Sequence, residues 1–532
     1  MQWLIDSPLL TLFLAIAVGC LFGKIPFGPV SFGPAGALFA ALALSALNPD
    51  IALPPIVGSL ALCVFCYMVG IAAGPAFISA IRTGWKQVVV SLIAITGMAA
   101  VALGVGRGFG LDIGTIAGSF AGAGTATPAL GAVQGQLLDE TGVPISEAVV
   151  DPAIGYAVAY PITVFLTILA CQYLISAGRR KPTPQDSEPT VPIVVKTLEL
   201  TADPGLTVAA FSAAHPAVIS RITRAGQTVV AHDDQILTAG DLLTLTARAD
   251  DFDAITDKFG RLATSEPWMD RSTIDFRRIT LSERTLSGRP LHDLRLDERF
   301  DATVSRVRRG DVDIIATPDL VLMTGDRLRV TAPRDQFPEI AKALGDSERQ
   351  ASDINPVGLS IGLALGLVLA FVAIPMPGGG TLTLGTATAP LIVGVVLGIL
   401  GRTGPIVWTL PGNVSSTLNQ YSLLVFLAAV GLGAGGGLVT ALKDDALALV
   451  ILGLTIAVVH AVICIVGLRT ILKNGTANAL GGLTGSQLNP APYAYAMDKV
   501  PDQRLAVAYA TLFPIAMIFK VLVAQIMVVY FS

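Results

Sequence analysis

Long apolar stretches, separated by short polar ones, occupy both ends of the chain and predict transmembrane helices. In lipid a chain must satisfy its backbone hydrogen bonds internally, so such stretches form helices of about 20 residues. Five stretches at the N-terminal end qualify, namely 8–23, 30–48, 55–80, 87–106 and 152–176. Five at the C-terminal end qualify, namely 357–374, 383–401, 419–441, 446–468 and 505–530. The pattern therefore predicts ten membrane crossings.

Two further segments, 114–134 and 476–494, are rich in Gly, Ala, Ser and Thr and hold few large aliphatic residues. Each contains an internal proline, Pro128 in the first and Pro490 in the second. Small polar residues around a helix breaker favour backbone that leaves helical geometry inside the protein, beside a cavity. We expect re-entrant hairpins or broken helices. The alternative is a tightly packed helix with an interface of small residues.

Between the apolar ends lies a segment with the pattern of small soluble α/β modules. Short alternating strands such as LLTLTA and RLRVTA are each followed by a helix-like stretch, 250–262 and 335–344. A register of 85 residues aligns two copies, with 14 identities in the 36 positions from 220 to 255. Polar linkers flank the pair at 180–190 and 347–355. We therefore predict two tandem modules inserted between the apolar ends.

The two apolar halves also resemble each other. Gly70 matches Gly431 at an offset of 361 residues, and the tetrapeptide TATP at 125–128 matches QLNP at 487–490. Gly74 and Tyr156 match Gly435 and Tyr509 in the same order. This shared order predicts a duplicated membrane domain. The predicted domains are transmembrane repeat 1 at 1–178, module 1 at 179–270, module 2 at 271–354 and transmembrane repeat 2 at 355–532.

The composition agrees with this division. Hydrophobic residues make up 53% of the 532 residues and charged residues only 14%, against about 25% charged in ordinary soluble proteins. Residues 1–178 and 355–532 hold eleven charged residues each, whereas the 176 residues between them hold 52. A wholly soluble enzyme, a disordered protein and a secreted disulfide scaffold are thereby excluded. The net charge of −4 excludes nucleic acid as a partner bound through bulk charge.

The distribution of Lys and Arg predicts the orientation in the membrane. With the N-terminus outside, five crossings put residues 179–354 in the cytoplasm. Eleven cations next to the crossings then lie inside, against two outside, Arg107 and Lys443. The positive-inside rule favours this orientation over its reverse. The second half starts inside, so the halves are inverted, and an inverted repeat with matched interrupted segments indicates a secondary transporter.

The interrupted segments supply the first candidate substrate-binding residues. Broken helices expose N–H groups that suit a carboxylate and carbonyls that suit an ammonium group or a cation. An amino acid needs both kinds of partner. The same side chains could instead cap their own broken backbone. The candidates are Gly122, Thr125, Thr127, Pro128, Ser486, Gln487, Asn489 and Pro490.

Lys520 is a further candidate because it lies inside the last predicted crossing. A charge at that depth costs about 2.5–3.5 kcal/mol on insertion scales and needs a reason. Lys520 either binds the substrate carboxylate or carries a coupling charge, or else it extends to the membrane surface or pairs with a structural carboxylate. Tyr156 and Tyr509 recur in both halves. They either line the path or pack in the core with satisfied hydroxyls.

No feature of the sequence predicts an enzyme. There is no Walker motif, nucleophile elbow or Rossmann fingerprint. Cys63-x-x-Cys66 lies within a predicted span and has no second cysteine pair, and the four histidines have no metal-binding spacing. We therefore predict no catalytic residues, no metal and no cofactor.

Two motifs of the first half stand out, VFCYMVGIAAGPAF at 64–77 and GAGTATPAL at 122–130. They accompany two predicted transmembrane halves that flank a pair of soluble modules. This arrangement resembles the aspartate–alanine exchanger family of bacterial antiporters over nearly the whole chain. The resemblance implies an inner-membrane antiporter that swaps a small acidic amino acid or dicarboxylate, with aspartate favoured, for a related solute such as alanine. The second tetrapeptide, Gln-Leu-Asn-Pro at 487–490, departs from Thr-x-Thr-Pro and leaves the solute open.

The central modules are similar to the C-terminal domains of potassium-conductance regulators. This similarity implies a homodimer and a small regulatory ligand on the cytoplasmic modules. It also suggests a ligand-regulated ion channel as a rival function, although the sequence contains no filter run such as TVGYG. Another ion-coupled anion transporter and a membrane sensor are further rivals. For the favoured antiporter we expect alternating access by an elevator or rocking motion.

Overall fold

The computed structural model describes residues 2–25, 33–48, 50–137, 152–187, 193–309, 312–346, 356–375 and 381–531. The predicted polar linker at 347–355 lies outside these residues. The chain divides into two compact units. The first, which we call the helical unit, comprises 1–188, 356–400 and 415–532. The second, which we call the α/β unit, comprises 189–355 and 401–414.

The first part of the helical unit contains nine helices among the described residues. They are α1 (Gln2–Asp6), α2 (Pro8–Gly23), α3 (Ala35–Leu47), α4 (Pro55–Thr83), α5 (Trp85–Gly108), α6 (Ile113–Ala123), α7 (Thr127–Leu137), α8 (Pro152–Arg180) and α9 (Pro184–Ser187). Helix α8 runs two residues beyond the predicted end of the first transmembrane repeat at 178, and α9 remains with the helical unit.

The first module of the α/β unit is an antiparallel sheet with two helices. Its strands are β1 (Ile193–Leu200), β2 (Ala217–Arg224), β3 (Gln227–Val230), β4 (Leu242–Arg248) and β5 (Gly260–Leu262), and its helices are α10 (Val208–Ala214) and α11 (Ala249–Phe259). The strand order is β3-β2-β4-β1-β5. Apolar residues of alternate strand positions, together with Phe211 and Phe252 from the helices, form its core.

The second module repeats this arrangement. Its strands are β6 (Ile274–Thr280), β7 (Thr303–Arg309), β8 (Val312–Ile315) and β9 (Arg327–Pro333), and its helices are α12 (Leu296–Phe300) and α13 (Phe337–Leu344). The strand order β8-β7-β9-β6 corresponds to β3-β2-β4-β1 of the first module. The predicted tandem repeat thus has one topology in both copies.

An ion pair repeats at the 85-residue register. Arg224 Nε and Nη2 lie 2.7 and 2.8 Å from the carboxylate of Asp241, and Arg309 Nε and Nη2 lie 2.8 and 2.6 Å from that of Asp326. Both aspartates are buried. Burial raises the pKa of Asp241, but the hydrogen bonds from Arg224 and Thr238 outweigh burial, and the pKa lies below its usual value. Asp241 thereby links β2 to β4 in the first module, and Asp326 links β7 to β9 in the second.

The second part of the helical unit follows the modules. Its helices are α14 (Pro356–Ala370), α15 (Gly385–Leu400), α16 (Gly412–Asp444), α17 (Ala446–Ile465), α18 (Thr476–Gln487), α19 (Pro490–Lys499) and α20 (Gln503–Phe531). A π-helical turn, Val466–Ile471, extends α17. Short strands β10 (Ala373–Pro375) and β11 (Thr381–Thr383) pair between α14 and α15, and β12 (Arg402–Thr403) and β13 (Ile406–Val407) pair between α15 and α16.

The β12–β13 hairpin belongs to the α/β unit although its flanking helices do not. Arg402 Nη1 donates a 2.6 Å hydrogen bond to the backbone carbonyl of Thr285 in the second module. The sequence pattern did not predict this docking, because only the fold brings positions 117 residues apart into contact.

Each of the ten apolar stretches contains a helix, but only six helices in the described chain are long and apolar enough to cross a membrane. The spans are Pro55–Gly74, Trp85–Gly108, Pro152–Arg180, Val414–Gly435, Ala446–Ile471 and Arg504–Phe531. The other four helices, α2, α3, α14 and α15, have 16, 13, 15 and 16 residues. They are shorter than the roughly 20 residues of a full crossing. The layout of five crossings in each half and their opposite orientation therefore stay predictions.

Both interrupted segments are pairs of short helices. Helices α6 and α7 are separated at 124–126, and α18 and α19 at 488–489. Each break holds a non-glycine residue in left-handed backbone geometry, Thr125 with φ 46° and Leu488 with φ 68°. Such residues cost free energy and persist only where the surrounding structure holds them. The expected broken helices are present, and their re-entry into a membrane stays a prediction.

Matched glycines pack the two halves of the helical unit together. A Cβ on Gly70 in α4 would lie 2.4 Å from the carbonyl oxygen of Leu391 in α15. A Cβ on Gly431 in α16 would lie 2.6 Å from the carbonyl oxygen of Leu38 in α3. Each of these two helices therefore packs backbone to backbone against a helix of the other half.

Candidate substrate site at the two helix breaks

The two helix breaks lie against each other and exchange hydrogen bonds. The hydroxyl of Thr125 donates to the backbone carbonyl of Gln487, and the side-chain Nε2 of Gln487 donates to the backbone carbonyl of Ala123. Thr125 and Gln487 are buried. Thr125 and Gln487, predicted candidates from different halves, thus meet at the point where each helix pair leaves carbonyl groups without intrahelical partners.

Lys520 of α20 lies at this junction and is fully buried. Its ammonium donates to the carbonyl oxygen of Gly124 at 2.7 Å and to that of Gln487 at 3.3 Å. Among the described residues no carboxylate forms an ion pair with it. Lys520 therefore brings a buried amino group, without an ion pair among the described residues, to the carbonyl groups of both breaks.

One buried polar atom at the breaks, Oε1 of Gln487, has no hydrogen-bond partner among the described residues. The side-chain oxygen of Asn489, Oδ1, accepts a 3.0 Å hydrogen bond from the backbone N–H of Ala491 and caps α19, and its Nδ2 faces the hydroxyl of Tyr160. A buried polar atom left unpaired costs about 1–3 kcal/mol. The site therefore offers one free acceptor to a bound solute.

Tyr156 joins the first break from α8. Its hydroxyl lies 3.1 Å from the hydroxyl of Thr127, and the ring is buried. Gly122 permits this approach, because a Cβ there would lie 2.4 Å from the carbonyl oxygen of Tyr156. Pro128 occupies the first turn of α7. Backbone N–H groups in the first turn have no intrahelical acceptor, so the N–H that proline lacks costs no hydrogen bond.

The equivalent residues of the second half are arranged differently. Gly485 permits the same close approach, with a Cβ 2.7 Å from the carbonyl oxygen of Tyr509. The ring of Tyr509, however, packs against Tyr493 at 4.2 Å and Phe513 at 5.4 Å between centroids. Pro490 is exposed. Tyr509 and Pro490 therefore lie beside the site, whereas their first-half counterparts are buried in it.

A chain of polar side chains extends from the second broken segment. Ser486 Oγ lies 2.7 Å from Ser91 Oγ in α5 and 2.9 Å from His460 Nε2 in α17. Cys464 Sγ lies 3.6 Å from the same His460 nitrogen. All four residues are buried. The sequence analysis did not identify Ser91 as a candidate. The only feature that could have pointed to it is a polar residue within an apolar helix.

The N-terminus of α18, the start of the second broken segment, is capped by the segment after α8. The backbone N–H groups of Gly475 and Thr476 donate to the side chains of Gln185 and Asp186, and Asp186 pairs with Arg469 at 2.8 Å. Burial raises the pKa of Asp186, but the hydrogen bonds from Thr183, Thr476 and Arg469 outweigh burial and hold the pKa well below its usual value. This carboxylate therefore stays ionised.

A cavity of about 450 Å³ adjoins this cap. Cationic and polar side chains line part of it, including Arg179, Asn478, Lys499 and Arg504. Arg504 also donates to the backbone carbonyl of Gln185 at 2.8 Å. The sequence offered no signal for this contact beyond the charges themselves, because 319 residues separate the two positions.

Comparison with known proteins identifies the family. A family model described as a predicted permease membrane region, of the aspartate–alanine exchanger type, matches residues 11–176 and 357–529. A model of the TrkA-C domain matches residues 276–345, within the second module. No solved structure gives a significant match.

The relatives are full-length proteins of the same kind. An uncharacterized transporter of Geobacter sulfurreducens is 35% identical, with 98% of each chain covered. Uncharacterized transporters of Corynebacterium efficiens and Corynebacterium diphtheriae are 32% and 35% identical, with 99% of this chain and 99% and 94% of theirs covered. Their printed names give no substrate. The chain therefore belongs to the aspartate–alanine exchanger family of permeases, and it is a multi-pass membrane transporter.

Proposed function

We propose that this transporter exchanges a small acidic amino acid or dicarboxylate, with aspartate favoured, for a related solute such as alanine. The observation that carries the proposal is the buried ammonium of Lys520, which meets two helix breaks and no carboxylate among the described residues. A buried charge without a counter-ion is costly. An anionic substrate would supply that counter-ion.

The groups at the breaks match both ends of an amino acid. Lys520 is a donor for a carboxylate, and the amide of Asn489 beside Tyr160 is a second donor. The free Oε1 of Gln487 and the carbonyl oxygen of Gly124 are acceptors for an α-ammonium group. Thr125, Thr127 and Tyr156 would position the solute through the hydrogen bonds that they already make around the break.

Transport requires this buried site to open to each side in turn. The hydrogen bonds from Thr125 to Gln487 and from Gln487 to Ala123 join the broken segments of the two halves. Alternating access then moves one group of helices against another, and these bonds break and re-form in each cycle. We further propose the inner membrane of a bacterium as location, the N-terminus outside, residues 179–354 in the cytoplasm and a homodimer joined through the α/β units.

A second candidate is an anion transporter coupled to a cation. The carbonyl oxygens of Gly124 and Gln487 favour it, because such oxygens suit an ammonium group and a metal cation alike. If uptake of the labelled anion requires a cation added to the same side of the liposome membrane, this mechanism is identified.

Counterflow in proteoliposomes tests the proposal. Liposomes are loaded with aspartate, glutamate, alanine, succinate or malate, and each labelled solute is supplied outside. We expect saturable counterflow of labelled aspartate driven by internal aspartate or alanine. Failure of every acidic solute overturns the substrate class and leaves the transporter family standing, and large uncoupled ion currents would favour a channel.

Two variants test the site itself. Lys520→Met should reduce aspartate counterflow to background, while the protein still elutes as a folded species in detergent. Lys443→Met, at an exposed position near the end of α16, is the matched control and should leave counterflow unchanged. Unchanged uptake kinetics in Lys520→Met would remove Lys520 from the site.

A further inference from the structure

A row of three arginines crosses the sheet of the second module. Arg278, Arg329 and Arg306 are direct cross-strand partners on β6, β9 and β7. Leu328 and Val330, on either side of Arg329, belong to the core of the module. Because successive side chains of a strand point to opposite faces, the arginines lie on the face away from that core. Like charges directly opposite one another destabilise a sheet.

The first module carries the equivalent row, and this row is buried. Thr197, Thr244 and Arg221 are direct partners across β1, β4 and β2, and each is 2% exposed. Arg221 and Thr244 correspond to Arg306 and Arg329 at the 85-residue register. The hydroxyls of Thr197 and Thr244 have no hydrogen-bond partner among the described residues. The row therefore offers unused donors beside a buried cation.

The two rows share one interface. Strand β3 of the first module packs against β6 and β9 of the second. Burial, followed by the positive charges of Arg306, Arg278, Arg221 and Arg271, lowers the pKa of Arg329 to about 10. Arginines from both modules therefore surround Arg329 closely enough to repel its charge.

Three carboxylates lie near this cluster and leave it positive. Asp275 pairs with Arg271 at 3.1 Å, and Asp313 pairs with Arg306 at 3.4 Å. Asp270 is near Arg221, which donates to its backbone carbonyl at 3.1 Å. In the part of the chain that the structure describes, three members of the cluster form no ion pair, namely Arg221, Arg278 and Arg329.

Aromatic rings hold the cluster in place. The guanidinium groups of Arg329 and Arg271 lie 4.0 and 3.9 Å from the ring centroid of Phe276. Trp268, whose backbone carbonyl lies 3.5 Å from Arg221 Nη1, has a buried indole N–H without a partner among the described residues. Stacked guanidinium groups lose little conformational freedom when they bind an anion, so the donors are preorganised.

We infer that the interface between the two modules binds a phosphate-bearing small molecule, whose oxyanion is held by Arg329, Arg278 and Arg306. The guanidinium fork matches phosphate oxygens in bidentate geometry. Arg221 of the first module, whose charge acts on Arg329 across the interface, supplies a further donor. An oxyanion there offsets the repulsion within the arginine row and strengthens the contact between the modules. The transport site is not part of this inference.

The test uses the full-length protein in phosphatidylcholine nanodiscs, with inorganic pyrophosphate as the probe. We expect saturable binding by calorimetry and a higher melting temperature of the α/β unit when pyrophosphate is present. Arg329→Gln should weaken binding about tenfold or more, because a charge-assisted hydrogen bond is lost. Without pyrophosphate the same variant should melt at a higher temperature than the wild type, since the repulsion in the row is relieved.

Arg299→Gln is the matched control, because Arg299 is an exposed arginine that lies over Phe300, outside the cluster. It should bind pyrophosphate as the wild type does. Nanodiscs with phosphatidylglycerol form a second arm of the test. If the melting temperature rises only in these nanodiscs, and the rise is lost in Arg329→Gln, the oxyanion at this site is a lipid headgroup. No response to either phosphate source, or equal pyrophosphate binding by Arg329→Gln and wild type, overturns the inference.

Discussion

The hydroxyl of Thr125, in the break between α6 and α7, donates a hydrogen bond to the backbone carbonyl of Gln487, at the break between α18 and α19. These two residues are 362 positions apart and belong to different halves of the duplicated domain. Gln487 returns a bond to the backbone of Ala123. The buried junction of the halves is therefore polar, and each half completes the hydrogen bonding of the other.

Thr125→Val tests this junction. Valine keeps the β-branched shape at the same positive φ and removes only the donor. We expect a loss of about 1 kcal/mol of stability, the usual net contribution of one hydrogen bond, and reduced aspartate counterflow. Thr96→Val, which removes the hydroxyl of an exposed threonine in α5, is the control for melting temperature. A variant as stable and active as the wild type would show that the bond is dispensable.

Gly122→Ala tests the close approach of α6 to α8. The new Cβ would lie 2.4 Å from the carbonyl oxygen of Tyr156, and backbone cannot move aside as a flexible side chain can. Overpacking of this kind costs about 1–3 kcal/mol, so melting temperature and counterflow should both fall. Gly104→Ala in α5 meets no atom within 4 Å and should leave both unchanged. Equal behaviour of the two variants would contradict the packing argument.

Asp186→Asn tests the cap on α18 and has a defined pH dependence. The folded-state pKa of Asp186 is depressed, so its stabilisation is present above the unfolded-state pKa of about 3.9 and is lost as the pH falls through the lower folded-state value. The variant should therefore melt below the wild type at pH 5–8, by an equal margin throughout. Thermal scans across that pH range measure the difference in melting temperature between variant and wild type. No difference at pH 7 would contradict the role of the ionised Asp186 carboxylate as a cap.

The repeated ion pairs predict matched effects in the two modules. Arg224→Gln and Arg309→Gln each leave a buried carboxylate, Asp241 or Asp326, without its main partner. Both should destabilise the α/β unit by about 1–3 kcal/mol. Arg261→Gln removes an exposed pair with Glu199 and should have little effect on stability, because solvent screens the pair. Chemical unfolding of the three variants makes the comparison, and a cost in only one module would argue against equivalent roles.

Much of the architecture follows from local pattern. Apolar stretches predicted a helix at each of ten places, and small polar residues with Pro128 and Pro490 predicted both interruptions. The 85-residue register predicted two modules with the same strand order. These features are readable from sequence because helix formation, helix breaking and strand alternation depend on residues a few positions apart. The lengths of the short helices were less predictable, since tertiary turns end them early.

The sequence by itself thus predicted the helices of both apolar ends, the broken segments and the inserted pair of α/β modules, all of which the structure contains. Only the tertiary structure decided that Lys520 meets carbonyl groups instead of a carboxylate, that Ser486 joins Ser91 to His460, and that the ring of Tyr509 packs against Tyr493. It also aligned the arginines of three strands into one row. These relationships join residues far apart in the chain, and their geometry depends on which helix faces meet and on strand register.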